Sequence, residues 1–213
     1  MTTPIVVVGA GGFGRETVDV VAAINGVKAT FDLLGVVDSD PSEVNLRRLE
    51  DRGVSYLGRE EDWLASSASG VAFVVAVGNP QVRSRIVERW LPSGHSPVSL
   101  VHPSVGVGGT STVGRGSVVC AGVQISTNVT IGDFVHLNPN STVGHDSTLH
   151  ECVSLNPGGV ISGDVTVGAR SLVGAGAVIL QGLTVGRDAI VGASSCVTKN
   201  VRDGSTVKGV PAR

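Results

Sequence analysis

The chain has 213 residues, a formal net charge of −2 and only 3% aromatic residues. That balance supplies no basic surface for nucleic acid or an anionic membrane. The start lacks a basic segment followed by an apolar one, and no apolar run is long enough to span a bilayer, so a cytoplasmic protein is expected.

In chain order, Ile5 to Val8 is a short apolar run suited to a strand buried on both faces. It leads into Gly9-Ala10-Gly11-Gly12-Phe13-Gly14, which satisfies G-x-G-x-x-G at Gly9, Gly11 and Gly14. The pattern then predicts a helix over Arg15–Ala23 and a second strand over Leu33–Val37, ending in Asp38. Asp38 lies 24 residues past Gly14, near the spacing of an acidic ribose contact. Glycines here let the backbone approach a phosphate, and the helix N-terminus supplies unpaired N–H groups. The competing reading is a tight strand-to-helix turn that binds nothing.

Val71–Val77 is a third predicted strand, followed by Gly78-Asn79-Pro80 and a helix over Gln81–Trp90. Arg83, Arg85 and Arg89 on that helix read as solvated charges. Pro92, Gly94 and Pro97 interrupt the pattern before a strand over Val98–Val101. Dinucleotide folds use two mononucleotide-binding halves. Residues 1–97 provide one, which suits the diphosphate of a nucleotide-sugar better than a whole NAD.

From 98 to 213 the organisation changes. An aliphatic residue recurs at every sixth position from Val101 to Val197, seventeen times without a failure. Small or β-branched residues recur two places earlier over the first half, and glycine often follows the aliphatic residue. A period of six fits neither a helix nor a half-buried strand. It predicts a β-solenoid with one short strand and one corner per hexad. Three hexads close a triangular coil, so residues eighteen apart stack at about 4.8 Å. Val135-His136-Leu137-Asn138-Pro139 is echoed eighteen residues later by Val153-Ser154-Leu155-Asn156-Pro157.

Outward polar candidates on this rod are Thr127, His136, Asn138, His145, Asp146, His150 and Asn156. His145-Asp146 is the pair suited to acyl transfer, because a base working near neutral pH is naturally a histidine and an adjacent carboxylate fixes its tautomer. Neighbours on a flat strand point oppositely, so the pair requires a corner at Gly144. Gly163 stacks one coil beyond His145, where its N–H could serve as an oxyanion donor; a corner glycine with positive φ is the alternative. Gly174-Ala175 and Gly192-Ala193 form a smooth strip in register, suited to a ligand lying along the rod or to packing between protomers. Cys120, Cys152 and Cys196 are odd in number with no C-x-x-C pair, which reads as reduced thiols.

The chain resembles the hexapeptide-repeat acyltransferases, and most closely the bacterial nucleotide-sugar N-acetyltransferases that modify 4-amino-4,6-dideoxy sugars, with the sialic-acid O-acetyltransferases also similar. The residues that carry the resemblance are the Gly9–Gly14 turn, Asp38, the Gly78 loop, Leu137-Asn138, Gly144-His145-Asp146 and the terminal Gly209-Val210-Pro211-Ala212-Arg213. The resemblance implies an α/β half-Rossmann-like domain followed by an all-β, left-handed parallel β-helix, although parallel crossovers are right-handed in about 98% of cases. It also implies a homotrimer that uses acetyl-CoA and no metal. Substrate contacts would come from Gly11, Gly12, Phe13, Gly14, Asp38, Gly78 and Asn138, with His145 as general base assisted by Asp146. Coenzyme A would lie along Asn156, Gly174, Ala175, Gly192 and Ala193 and reach Pro211 and Arg213, a segment that also reads as a cap on the last coil. Many relatives carry a second histidine at the reacting centre where this chain has Ser154.

Rival readings are a sugar O-acetyltransferase, a zinc carbonic anhydrase-like trimer and a non-catalytic binding protein. His145 and His150 give H-x4-H, but the third zinc ligand would fall at Gly109.

Overall fold

A computed structural model describes residues 1–213. Strands β1 (Thr3–Val8), β2 (Phe31–Val37), β3 (Ala72–Val75) and β4 (Ser96–Pro97) form one parallel sheet in the order β2-β1-β3-β4. Helices α1 (Gly12–Val27), α2 (Glu43–Glu50), α3 (Glu60–Ser66) and α4 (Pro80–Trp90) connect them. The strand order reverses between β1 and β3, which opens a crevice at their C-terminal ends.

Three of four differences from the expected elements have local causes. Helices α2 and α3 are additional. The first is capped by Ser42, whose hydroxyl accepts from Asn45 N–H, and buries only Leu49. The second carries three acidic residues in its first turn and buries only Glu60. Both are too short and polar for periodicity to reveal. Pro97, read as a breaker, belongs to edge strand β4, where a missing N–H is tolerated. The rod's first strand is Leu100–Val101 rather than Val98–Val101.

From Leu100 onward two-residue strands wind into a triangular prism whose faces hold seven, six and five strands. The eighteen-residue stacking is literal: His136 pairs with Ser154, Thr142 with Val160 and Thr148 with Thr166. The hexad aliphatics from Val119 to Val197 point inward and are buried, whereas Val107, on the open first coil, is 44% exposed. Glycines after the aliphatic residue are needed for stacking. A Cβ on Gly144 would stand 2.5 Å from the Ser162 carbonyl carbon, and one on Gly174 would stand 2.5 Å from Ala193 N. The last coil is two residues short, since Ile190 pairs with Thr206. Residues 209–213 then fold back on it, with Cys196 N–H donating to Gly209 and Ala212 N–H to Cys196.

The two parts share their hydrophobic core. Leu100, Val118 and Cys120 of the first prism face pack with Val18, Val20 and Val21 of α1. Phe134 and Cys152 pack with Phe73, Val75 and Trp90. Two sequence expectations fail at this seam. Arg83 is fully buried rather than solvated, and His136 points out of the prism but is covered by the N-terminal sheet and is also fully buried. Its ring stacks on Phe13 at 4.4 Å between centroids, its Nε2 lies 2.9 Å from the Val75 carbonyl, and its Nδ1 lies 3.0 Å from Arg83 Nη1. Arg83 donates, so Nδ1 accepts and Nε2–H donates to Val75.

Burial and the neighbouring guanidinium hold the His136 pKa well below 6.5. The unfolded chain therefore binds this proton more readily, and stability falls as the pH drops below about 6.5. The expected slope from this group is at most about 1.4 kcal/mol per pH unit. Chemical denaturation from pH 7 downward measures it, and His136→Gln should flatten that component.

Candidate active site

His145 and Asp146 sit on the corner between strands Thr142–Val143 and Thr148–Leu149. Asp146 adopts φ 62°, a left-handed conformation that turns the chain so that the two adjacent side chains meet. His145 Nδ1 lies 2.7 Å from Asp146 Oδ2, and Asn128 Nδ2, one coil earlier, donates to Asp146 Oδ1 at 2.7 Å. Those two hydrogen bonds, Asn128 first and His145 second, hold the Asp146 carboxyl below its ordinary value. The carboxylate thus fixes Nδ1 as the protonated nitrogen and leaves the Nε2 lone pair outward. His145 remains 61% exposed.

Gly163 lies directly against the ring: a Cβ there would stand 2.5 Å from both Cε1 and Nε2 of His145. Its φ is not positive, so the demand for glycine comes from the imidazole rather than from backbone strain. Its N–H donates to no acceptor within the chain. One corner therefore presents an oriented base beside an unpaired backbone donor.

The remaining prism candidates stand on a different edge. Asn138, Asn156, Gly174, Ala175, Gly192 and Ala193 follow the strands of the face that carries His136. The face with Thr142, Val160 and Val178 separates that edge from His145. Ala175 and Ala193 are exposed, whereas Gly174 is buried and its smallness is explained by coil stacking. Asn138 is only 8% exposed, with its amide donating to the Leu155 carbonyl on the next coil. Ser154 is not at the His145 corner. It is buried at the domain seam, donating to the Gly78 carbonyl and accepting from Arg83 Nη2, each at 2.9 Å. Pro211 and Arg213 are exposed on the folded-back tail. His145 and His150 occupy successive corners with a strand between them and are not a ligand pair.

In the N-terminal part, a Cβ on Gly14 would stand 1.9 Å from the Gly9 carbonyl oxygen, so helix α1 can approach β1 only with glycine there. Gly9 itself needs φ 117°. Gly11 and Gly78 face open space. The N–H groups of Gly12, Phe13 and Gly14 at the start of α1 have no acceptor in the chain. Phe13 contributes that N–H, while its ring is occupied on His136. Asp38 Oδ2 accepts from Ala10 N–H at 2.7 Å, which ties the glycine turn to the end of β2. A cleft of about 420 Å3 opens at the strand ends, lined by Gly9, Asp38, Asp40, Glu60, Arg85 and Arg89 among others. Its Glu60–Arg89 pair, 2.8 Å apart, could not be read from residues 29 positions apart in sequence.

Residues 4–90 match the family model described as the PglD N-terminal domain. The chain is 39% identical over 74 residues to GDP-perosamine N-acetyltransferase of Escherichia coli O157:H7, an alignment covering 35% of this chain and 34% of that one. The aligned stretch thus spans about a third of that curated relative's length. Among solved structures, perosamine N-acetyltransferase from Caulobacter crescentus, a histidine-to-asparagine variant in complex with CoA and GDP-perosamine, superposes with a TM-score of 0.87. It is 30% identical over 100% of this chain and 97% of that one. The acetyltransferase domain of PglB from Neisseria gonorrhoeae gives a TM-score of 0.85 at 30% identity, over 100% of this chain and 99% of that one.

Proposed function

The chain belongs to the hexapeptide-repeat, left-handed β-helix family of nucleotide-sugar N-acetyltransferases, and from that membership we propose that it transfers the acetyl group of acetyl-CoA to the amine of a nucleotide-linked amino-deoxy sugar. The observation that carries this reading is the His145 corner, with its Asp146-held ring and the adjacent free Gly163 N–H.

The chemistry follows from those groups. The neutral sugar amine attacks the thioester carbonyl, and the new C–N bond pushes electrons onto the oxygen, which the Gly163 N–H receives. His145 Nε2 takes the proton released by the amine, and Asp146 stabilises the resulting imidazolium. Collapse breaks the C–S bond, and the proton on His145 leaves with the coenzyme A thiolate.

The N-terminal cleft holds the nucleotide, with the diphosphate on the free N–H groups of Gly12, Phe13 and Gly14. The pantetheine lies along the Ala175–Ala193 edge. That edge and the His145 edge are on opposite sides of one prism face, so a complete site takes one edge from each of two chains. A homotrimer with three such sites meets that requirement. The chain has no helix long and apolar enough to cross a membrane and three free cysteines, which fits work in the cytoplasm.

The test is incubation of purified protein with acetyl-CoA and GDP-, UDP- or dTDP-linked 4-amino-4,6-dideoxy sugars, with GDP-perosamine first. Free thiol should appear together with a nucleotide-sugar heavier by one acetyl group. Absence of thiol release across the panel overturns the activity, and a monomer in sedimentation at assay concentration overturns the shared site.

A further inference from the structure

Arg83 is the one long cationic side chain buried in the molecule, and the chemistry described above does not use it. On the nucleotide side, Nη1 donates to the Val77 carbonyl at 2.7 Å and, more weakly, to the Gly78 carbonyl at 3.3 Å. On the prism side, Nε donates to the Phe134 carbonyl at 2.9 Å, and Nη2 donates to the Cys152 carbonyl and the Ser154 hydroxyl at 2.8 and 2.9 Å. The guanidinium thus ties the loop after β3 to two successive coils. Ser154 closes the arrangement by donating to Gly78 in turn.

Every one of these partners is neutral. No carboxylate pairs with Arg83, although a buried cation without a counter-charge is costly. Burial brings its pKa down only to about 10, so the group stays charged at neutral pH. The charge lies one ring behind the glycine turn, because His136 touches Arg83 through Nδ1 and stacks on Phe13 with its face. Phe13 is one of the three residues whose N–H groups at the start of α1 lack an acceptor. A fixed positive charge, a helix N-terminus and the open Gly78 loop therefore converge on the glycine turn. The nearest carboxylate there, Asp38, is engaged by Ala10 N–H and reaches neither Arg83 nor the three free N–H groups.

We propose that Arg83 is a positioning residue for the diphosphate of the substrate: it sets the Gly78 loop against the glycine turn, and its charge is balanced when the diphosphate binds. The side chain does not touch the ligand. This inference rests on the nucleotide-sugar reading above and adds to it the group that makes the site selective for a nucleoside diphosphate over a nucleoside.

The test compares GDP, guanosine and coenzyme A binding to the full-length protein by calorimetry, for wild type, Arg83→Lys, Arg83→Gln and Ser154→Ala. Arg83→Gln should weaken GDP by about tenfold or more, while guanosine and coenzyme A stay within about twofold. Arg83→Lys should recover part of the loss, because it restores the charge without the fork. Equal weakening of GDP and guanosine, or no change in either, overturns the proposal, since a purely structural role does not distinguish them. If Arg83→Gln does not fold, Ser154→Ala keeps the guanidinium and removes one tie to the loop. GDP should then weaken by about threefold with guanosine unchanged, and an unchanged GDP affinity overturns the proposal. A wild-type protein that binds none of GDP, UDP and dTDP overturns the nucleotide reading itself, and this inference with it.

Discussion

Replacing His145 by alanine is expected to lower kcat by about 10²- to 10⁴-fold, the range over which a positioned general base contributes. The KM for acetyl-CoA should change little, because the ring lies at a corner and holds no other part of the chain than Asp146. Fold and melting temperature should stay close to wild type, since the side chain is 61% exposed. Initial rates of thiol release at saturating nucleotide-sugar measure the effect. A variant within about fivefold of wild-type kcat would remove His145 from the base role. Asp146→Asn should give a smaller loss, because the ring remains but its tautomer is no longer fixed.

The second large effect comes from adding one methyl group. Gly163→Ala puts a carbon 2.5 Å from Cε1 and Nε2 of His145. The ring can escape only by rotating, and rotation breaks the 2.7 Å hydrogen bond to Asp146. The base is then present but misaimed, and displacements of about 1 Å at a reacting centre cost about 10²-fold in rate. The expected result is a kcat loss of that order, with stability nearly retained because Gly163 is not at a positive φ. Gly144→Ala is the contrasting control. Its Cβ would strike the Ser162 backbone, which cannot rotate away, so it should lower the melting temperature. If Gly163→Ala is fully active, the close contact has no catalytic consequence.

Several of these features were legible in the residues alone. The hexad period gave the prism, its register and the inward set from Val119 to Val197, because a six-residue rule repeated so often leaves no other regular solution. Handedness was not in the period and came only through family resemblance. His145-Asp146 could be recognised as a pair because its members are adjacent, and the left-handed φ at Asp146 supplies the corner that their adjacency required. Arg83 and His136 could not be recognised as partners. They lie 53 positions apart and meet only after one sheet is laid on one prism face, and an arginine on an amphipathic helix otherwise reads as solvated. Resemblance to relatives puts Ser154 at the reacting centre, whereas register puts it opposite His136 on the covered face. One sequence signal did point that way: in the echoed segments the two residues occupy the same position, so whatever covered one would reach the other.

The short final coil bears on how the rod finds its own length. Neighbouring rungs are so alike that a chain threading itself could skip one and still satisfy nearly every inward contact. Within the stack, pairs such as Asn128 with Asp146 and Arg170 with Asp188 mark single rungs. The ends add to them: the guanidinium fastening near the base accepts only the rungs bearing His136 and Ser154, and the clipped rung at the top, where Ile190 meets Thr206, accepts only the folded-back tail. Alignment errors are therefore rejected at these rungs and at the two extremities, so a nearly uniform rod still arrives at one arrangement.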